Sequence, residues 1–199
     1  MVVKDYQPVS VVEDEGFINL LKIVAPRYRI PQRKLITKII DEKYCKLVDS
    51  AKKVLETSNV TLTADIWTDS HTTRSDLGMT CHFFNSSIIA NLQTIDLGVY
   101  PLYERHQSFY ISSCFEEIIK QWSISKDQVS FVVTDHAANM VKAVVDTFTA
   151  NKQIGCAAHV VNLVAKKAID HTENLADLLE KVKKIVGFFR RSTSASDSL

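Results

Sequence analysis

The sequence has 199 residues, 46% of them hydrophobic and 24% charged, with a formal net charge of +1. That suits one or two globular domains with a real core and excludes a chain too polar to bury one. No apolar run reaches the roughly 20 residues needed to span a bilayer, and the opening MVVKDYQPVS lacks the apolar centre of a signal peptide.

In chain order, residues 1–16 are polar, acidic toward Glu15, and read as a poorly ordered lead. Residues 17–24 are apolar enough for a short helix, closed by Pro26. Pro31 then opens a long helical pattern in which Leu35, Ile36, Ile39, Ile40, Leu47, Val48, Ala51, Val54 and Leu55 define an inward stripe. This part is basic, with ten Lys and Arg against three Asp and Glu over 22–53. The balance then reverses, to four against nine over 61–140. Basic surface attracts phosphate backbones and clustered carboxylates can hold divalent cations, although two ordinary solvated surfaces would show the same distribution.

The period changes to two at Val60. Val60, Leu62, Ala64 and Ile66 share one face, and Thr61, Thr63 and Asp65 the other, which predicts a strand. Further strands are expected at 77–84, ending in a turn at Asn85-Ser86-Ser87, and at 92–99, so that the three form an antiparallel meander. A helix over 108–122, with Ile111, Phe115, Ile118, Ile119 and Trp122 inward, leads to a strand over 129–134, where Phe131, Val132 and Val133 stand in a row. A strand apolar on both faces is usually central, and reaching it through a helix implies a parallel crossover. Helices follow over 137–148, 159–169 and 175–189, before a polar Ser-rich end at 192–199.

The expected fold is therefore α/β, an RNase-H-like mixed sheet of three antiparallel strands and then a parallel crossover strand, preceded by a helical N-terminal segment. Its divisions are a lead at 1–16, a basic helical segment at 17–59, an incomplete core at 60–172 and the start of a helical insertion at 173–199. In that order the first and fourth strands are neighbours. Asp65 and Asp135, about 70 residues apart, would then meet at one edge.

A carboxylate at the end of an apolar strand is solvated, paired or bound to a cation, and one alone is commonly a turn former. Two on neighbouring strands repel unless a cation or proton intervenes. Held by such carboxylates, two Mg²⁺ ions about 3.5–4 Å apart could activate a water or a 3′-hydroxyl and stabilise the leaving oxygen. The four cysteines, Cys45, Cys81, Cys114 and Cys156, lie far apart and read as free thiols in a reducing compartment.

Five blocks resemble hAT transposases, and among these most of all the transposase-derived zinc-finger BED-domain proteins of animals. Asp-Ile-Trp-Thr-Asp at 65–69 resembles the first-aspartate motif, and Val-Val-Thr-Asp-His-Ala-Ala-Asn-Met at 132–140 the second. Cys-Ala-Ala-His-Val-Val-Asn-Leu-Val at 156–164 resembles the family's Cys-x-x-His block. The segment 24–31 resembles the Pro-x-Tyr-x-x-Pro that begins its helical lead-in, and His106 the His that follows strand three. The blocks fall in the family's order and cover residues 17–190.

The resemblance implies an Asp-Asp-Glu phosphoryl transferase that uses Mg²⁺ or Mn²⁺, with Asp65 and Asp135 as catalytic and metal-binding residues. It implies DNA as partner, a homo-oligomer at full length, and a nuclear location. The third acid, a Glu, lies in the family beyond a long helical insertion, and neither Glu173 nor Glu180 sits in a matching block. The chain is thus expected to be a fragment of the family's plan and not by itself a competent nuclease. The alternatives are a domesticated, non-catalytic DNA-binding or transcription-regulating scaffold, and an unrelated α/β domain in which both aspartates are structural.

Further candidates are weaker. His136 stands where the family usually has Asn or a similar small polar residue, and reads as a metal or phosphate contact or as an exposed helix-start His. Asn139 is a local cap or a site residue. Cys156 and His159 could form half of a zinc site, but no second pair has comparable spacing, so zinc is not expected. Trp67 reads as core or as a stacking edge beside Asp65. Arg27, Arg29, Arg33, Lys34 and Lys38, with Lys43 and Lys46 further along, are the candidates for DNA-backbone contact, a solvated helix face being the alternative.

Overall fold

The computed structural model describes residues 3–69, 72–84, 91–172 and 175–191. The turn expected at 85–87, Glu173 and the Ser-rich end at 192–199 lie outside them. Among the described residues, six α-helices and five strands follow in the order α1 (Glu15–Val24), α2 (Arg33–Leu55), β1 (Val60–Thr68), β2 (Ser75–Phe84), β3 (Leu92–Leu102), α3 (Ser108–Gln121), β4 (Val129–Thr134), α4 (Ala138–Thr147), β5 (Gln153–Gly155), α5 (Ala157–His171) and α6 (Leu175–Arg191).

The strands form one mixed sheet in the order β3-β2-β1-β4-β5. β1, β2 and β3 are the antiparallel meander, while β4 joins β1 in parallel after the α3 crossover. The α/β mixed sheet is thus the expected one, with β1 and β4 as neighbours. The alternation in β1 works as read: Val60, Leu62 and Ala64 are buried, and Thr61, Thr63 and Asp65 face away from the core. On the buried face lie Ile111, Phe115, Ile118 and Ile119 of α3 and Met140, Ala143 and Val144 of α4. Phe115 packs tilted against Phe148 at 6.4 Å between ring centroids. The buried Thr147 hydroxyl donates to the Ala143 carbonyl at 2.7 Å and meets Ser112 Oγ at 2.7 Å, so the α3–α4 seam buries no orphan hydroxyl there.

Polar groups close two irregular places. β3 carries a bulge at Leu97, between the pairs Thr80–Asp96 and Met79–Gly98. Gly98 takes φ +122°, which suits glycine, and its N–H donates to Asp96 Oδ1 at 3.0 Å. The bulged Leu97 carbonyl accepts from Trp122 Nε1 and from the Tyr100 hydroxyl, both at 2.9 Å. Burial raises the Tyr100 phenol above its ordinary pKa; the bond with Trp122 works the other way, and Tyr44 and Asp96 add smaller upward pushes. At the end of α2, Gln128 Nε2 donates to the Leu55 and Glu56 carbonyls at 3.0 and 2.8 Å, which caps the helix and ties it to the approach to β4.

Three expectations need correction. The lead is not wholly without order, because a 3₁₀ turn at Val9–Glu13 buries Val12. The long helix α2 exists, but its apolar stripe turns inward only near the C-terminus. Leu55 is buried and Val48 and Ala51 pack against the core, while Leu35, Ile39, Leu47 and Val54 stay exposed. The sheet reaches only the last turns of α2; earlier on the stripe Ile36 and Ile40 are half-buried, and the helix also meets the 3₁₀ turn. Lastly, β5 adds a fifth strand, parallel to β4, where none was expected. At three residues it is too short to show a period.

All four cysteines are free thiols. Burial pushes the Cys81 thiol up to about 12 and also raises Cys114, to which the Glu117 charge adds. The thiolate is the nucleophile. At pH 8, iodoacetamide should therefore alkylate the exposed Cys45 within minutes and leave Cys81 unmodified until denaturant is added. Mass spectrometry of tryptic peptides reads this, and equal labelling of the two would contradict the packing.

Candidate functional site

Strand direction decides which residues meet. β1 and β4 run the same way, with Thr61 level with Phe131 and Thr63 with Val133. Two residues further along both chains, Asp65 comes level with Asp135. Both side chains point away from the core, because Ala64 and Thr134 take the buried positions. β5 runs parallel beyond β4, and the Cys156 N–H donates to the Thr134 carbonyl at 2.7 Å. The start of α5 is thereby carried to the same edge.

The result is a cleft of about 360 Å³ lined by Asp65, Thr134, Asp135, Cys156, His159 and Asn162, among others. Crevices at the carboxyl ends of parallel strands are where open α/β sheets bind ligands. A wider groove of about 760 Å³, between Val12, Ile18 and the Pro31–Lys34 turn, includes neither aspartate.

The two carboxylates differ. Asp135 is half-buried, and its Oδ1 accepts from the Ala137 N–H at 3.1 Å, an Asx turn that orients the group and leaves Oδ2 open. Asp65 is exposed, and among the described residues no hydrogen bond or ion pair engages its carboxylate. Among the described residues no group of three or more His, Cys, Asp and Glu is placed to hold a metal ion.

The remaining candidates divide by position. His136 is exposed and sets its Nε2–Cε1 edge against Gly155: a Cβ at that glycine would fall within 2.3 Å of His136 Nε2. The His136 and His159 rings stand 6.3 Å apart at 32°. Trp67 lies across the β1–β2 pair over Gly78, where a Cβ would come within 2.8 Å of the indole. With 42% of its surface open, on the same face of β1 as Asp65, it is exposed and not core. Asn139 is no local cap, since its Nδ2 donates to the His106 carbonyl at 2.8 Å, across to the β3–α3 loop.

Arg27 and Arg29 precede α2, and Arg33, Lys34 and Lys38 occupy its first turns, all exposed. Lys38 makes a loose pair with Glu42 at 3.8 Å, worth little at such exposure. These five residues are not in the carboxylate cleft. Yet α2 packs its later turns beside Phe83 and Ile95 and has Tyr44 near Tyr100, so it runs antiparallel to β1. At 1.5 Å per residue its basic start projects about 16 Å past Tyr44, toward the end of the sheet that bears the aspartates.

Gly155, Asn162 and a polar row across the open face escaped the sequence reading. In that row His82 bridges two hydroxyls, with Nε2 at 3.0 Å from Thr63 Oγ1 and Nδ1 at 3.1 Å from Thr94 Oγ1. The spacing of His159 and Asn162, three apart on a helix that Cys156 precedes, was the available signal for Asn162.

Fold and cleft together define an α/β domain with paired carboxylates at the carboxyl edge of adjacent parallel strands. No protein-family model matches the chain. It is similar to the AC transposase sequence of Zea mays, at 28% identity over 195 residues, which is 90% of this chain and 23% of the relative. It is also similar to the hobo transposase of Drosophila melanogaster, at 25% identity over 90% of this chain and 29% of the relative. Zinc finger BED domain-containing protein 4 of Homo sapiens is 25% identical over 100% of this chain and 18% of its own length. The chain is thus related to the hAT transposases and the proteins derived from them, and it spans less than a third of the length of these relatives.

Proposed function

We propose that the chain supplies two of the acidic ligands of a hAT-type site that cuts and rejoins DNA, within an RNase-H-like core that works in the nucleus as part of a homo-oligomer. The observation that carries this reading is the convergence of Asp65 and Asp135, from neighbouring parallel strands, in one cleft. Mg²⁺ is commonly held by one or two protein carboxylates, with waters and substrate phosphates completing its shell. A pair of oxygen donors, one exposed and one oriented by a backbone N–H, fits Mg²⁺ or Mn²⁺.

When bound, the metal supplies Lewis-acid activation of an attacking oxygen and neutralises charge on the phosphate. The chain's own part is to aim the carboxylates. The Asx turn at Asp135 fixes one oxygen, and the β1–β4 register sets its partner level with it. Trp67 offers a flat apolar edge beside Asp65 on which a base can stack. The basic start of α2 supplies sequence-independent attraction for a DNA backbone. A third acidic ligand comes from elsewhere in the protein.

Similarity to zinc finger BED domain-containing protein 4 also suits a second reading, a transposase-derived DNA-binding scaffold without chemistry. Metal binding separates the two. Millimolar Mg²⁺ should shift, and Mn²⁺ broaden, amide signals around Asp65 and Asp135 in ¹H–¹⁵N spectra, and Asp65→Asn should abolish the effect. Signals at both residues unmoved by millimolar metal would overturn the catalytic reading and leave the scaffold.

A further inference from the structure

The β3–α3 loop, residues 103–107, lies at the same edge as the two aspartates. Leu102 pairs with Ser75, and Ser75 with Thr68, so the loop begins level with the end of β1. Thr68 is three residues past Asp65, about 10 Å along a strand. The loop backbone is held at two points. Tyr103 N–H donates to the Tyr110 hydroxyl at 3.1 Å, and the His106 carbonyl accepts from Asn139 Nδ2 at 2.8 Å. Between them the Gln107 N–H turns back to the Arg105 carbonyl at 2.6 Å. A loop so pinned leaves Glu104 and Arg105 exposed on a fixed base, and preordering of this kind lowers the entropic cost of binding.

Charge at this edge favours one partner. Asp65, Asp69 and Asp135 would repel a polyanion, so a phosphodiester strand approaching them needs fixed cations nearby. The edge holds Arg74, at the start of β2, and Arg105, and among the described residues neither makes an ion pair. Arginine offers five donors in a fixed fork that matches phosphate. Asn139 is the second residue of α4, four positions after Asp135, and its amide reaches 33 residues back along the chain to hold the loop.

We propose that the β3–α3 loop is a phosphodiester-binding arm of the site, in which Arg105 contacts the DNA backbone and Asn139 is the residue that holds the arm beside Asp135. This rests on the DNA-processing reading above but assigns residues that reading leaves out.

The test is fluorescence anisotropy of the 199-residue chain with a labelled 20-bp duplex of arbitrary sequence in Ca²⁺, read across a salt series, together with amide hydrogen exchange. Arg105→Gln should weaken binding about 3- to 10-fold and flatten the dependence of log K on log salt by about 0.9, the worth of one phosphate contact. Asn139→Ala should accelerate exchange at 104–107 at least tenfold, with the thermal midpoint within a degree or two of wild type. It should also weaken binding, and adding Arg105→Gln to it should cost less than in the wild-type background. Unchanged affinity in Arg105→Gln, while Arg33→Gln/Lys34→Gln binds more weakly, overturns the arm and leaves the DNA reading standing. Unchanged protection at 104–107 in Asn139→Ala overturns the latch. No measurable binding by wild type overturns the DNA reading and the arm with it, while the exchange data still judge the latch.

Discussion

Phe115→Ala is expected to remove about 3–5 kcal/mol of folding stability, roughly a fifth or more of what a domain of this kind possesses. Phe115 is 0% exposed, at the middle of α3, where the helix meets both the sheet and α4. Its ring fills space that no neighbour can reclaim. Phe148 is fixed at the end of α4, and Ile111 and Ile118 are themselves fully packed. The site above it has rigid walls, which puts the cost toward the upper end, because the cavity term adds to the lost transfer energy. Urea unfolding should show a lower midpoint at unchanged slope. Phe109→Ala, on the exposed side of the same helix, should stay within about 0.5 kcal/mol of wild type. Equal losses in the two variants would mean that α3 is not seated as described.

The contrast within α3 also shows why so much of the fold was legible. Ile111, Phe115, Ile118, Ile119 and Trp122 were expected inward from helical spacing alone, and all five are buried. β1 was legible for the same reason, since period two follows from covering one face; β4 was found from its apolar run, although it is covered on one face only, with Val132 and Thr134 buried and Phe131 exposed. Where spacing misled, tertiary context was the cause. The stripe of α2 is as regular as that of α3, yet only its last turns reach the sheet. Periodicity records a face able to be buried and is silent on where its partner ends. β5 is the opposite case, three residues held by pairing with Val132, Val133 and Thr134 and not by any pattern of their own.

The candidate site was legible to the extent that it follows from topology. Once β1 and β4 are neighbours, Asp65 and Asp135 must converge, and no contact need be known. What the sequence could not reveal depends on side-chain reach. Asn139 holding the His106 carbonyl, and His136 lying in the space left by Gly155, are contacts between segments 33 and 19 residues apart. Nothing in local pattern announces them. Gly155 could be read only afterwards, as a position where the missing Cβ leaves room for an imidazole.

Two substitutions at Asp135 should part company, and their difference tests whether the residue is a ligand or merely a turn former. Its Oδ1 accepts from the Ala137 N–H, so part of its role is local. Asparagine keeps that acceptor and removes the charge, whereas alanine removes both. In metal-free buffer, Asp135→Asn should therefore sit within about 0.5 kcal/mol of wild type, with relief of repulsion from Asp65 offsetting small losses. Asp135→Ala should cost about 0.5–1.5 kcal/mol, the worth of the lost bond. Metal reverses the grouping. Loss of one of two carboxylates should weaken Mg²⁺ or Mn²⁺ binding at least about tenfold, roughly 1.4 kcal/mol, in both variants. Millimolar Mg²⁺ should then raise the thermal midpoint of wild type and leave both variants where they were, because only a ligand that binds the native state shifts it. If Mg²⁺ stabilises Asp135→Asn as much as wild type, the carboxylate charge is idle and Asp135 is a turn former alone. If it stabilises wild type only, the charge and the turn are separate roles of one side chain. The Asx bond then serves to hold Oδ2 toward the cleft that Asp65 completes.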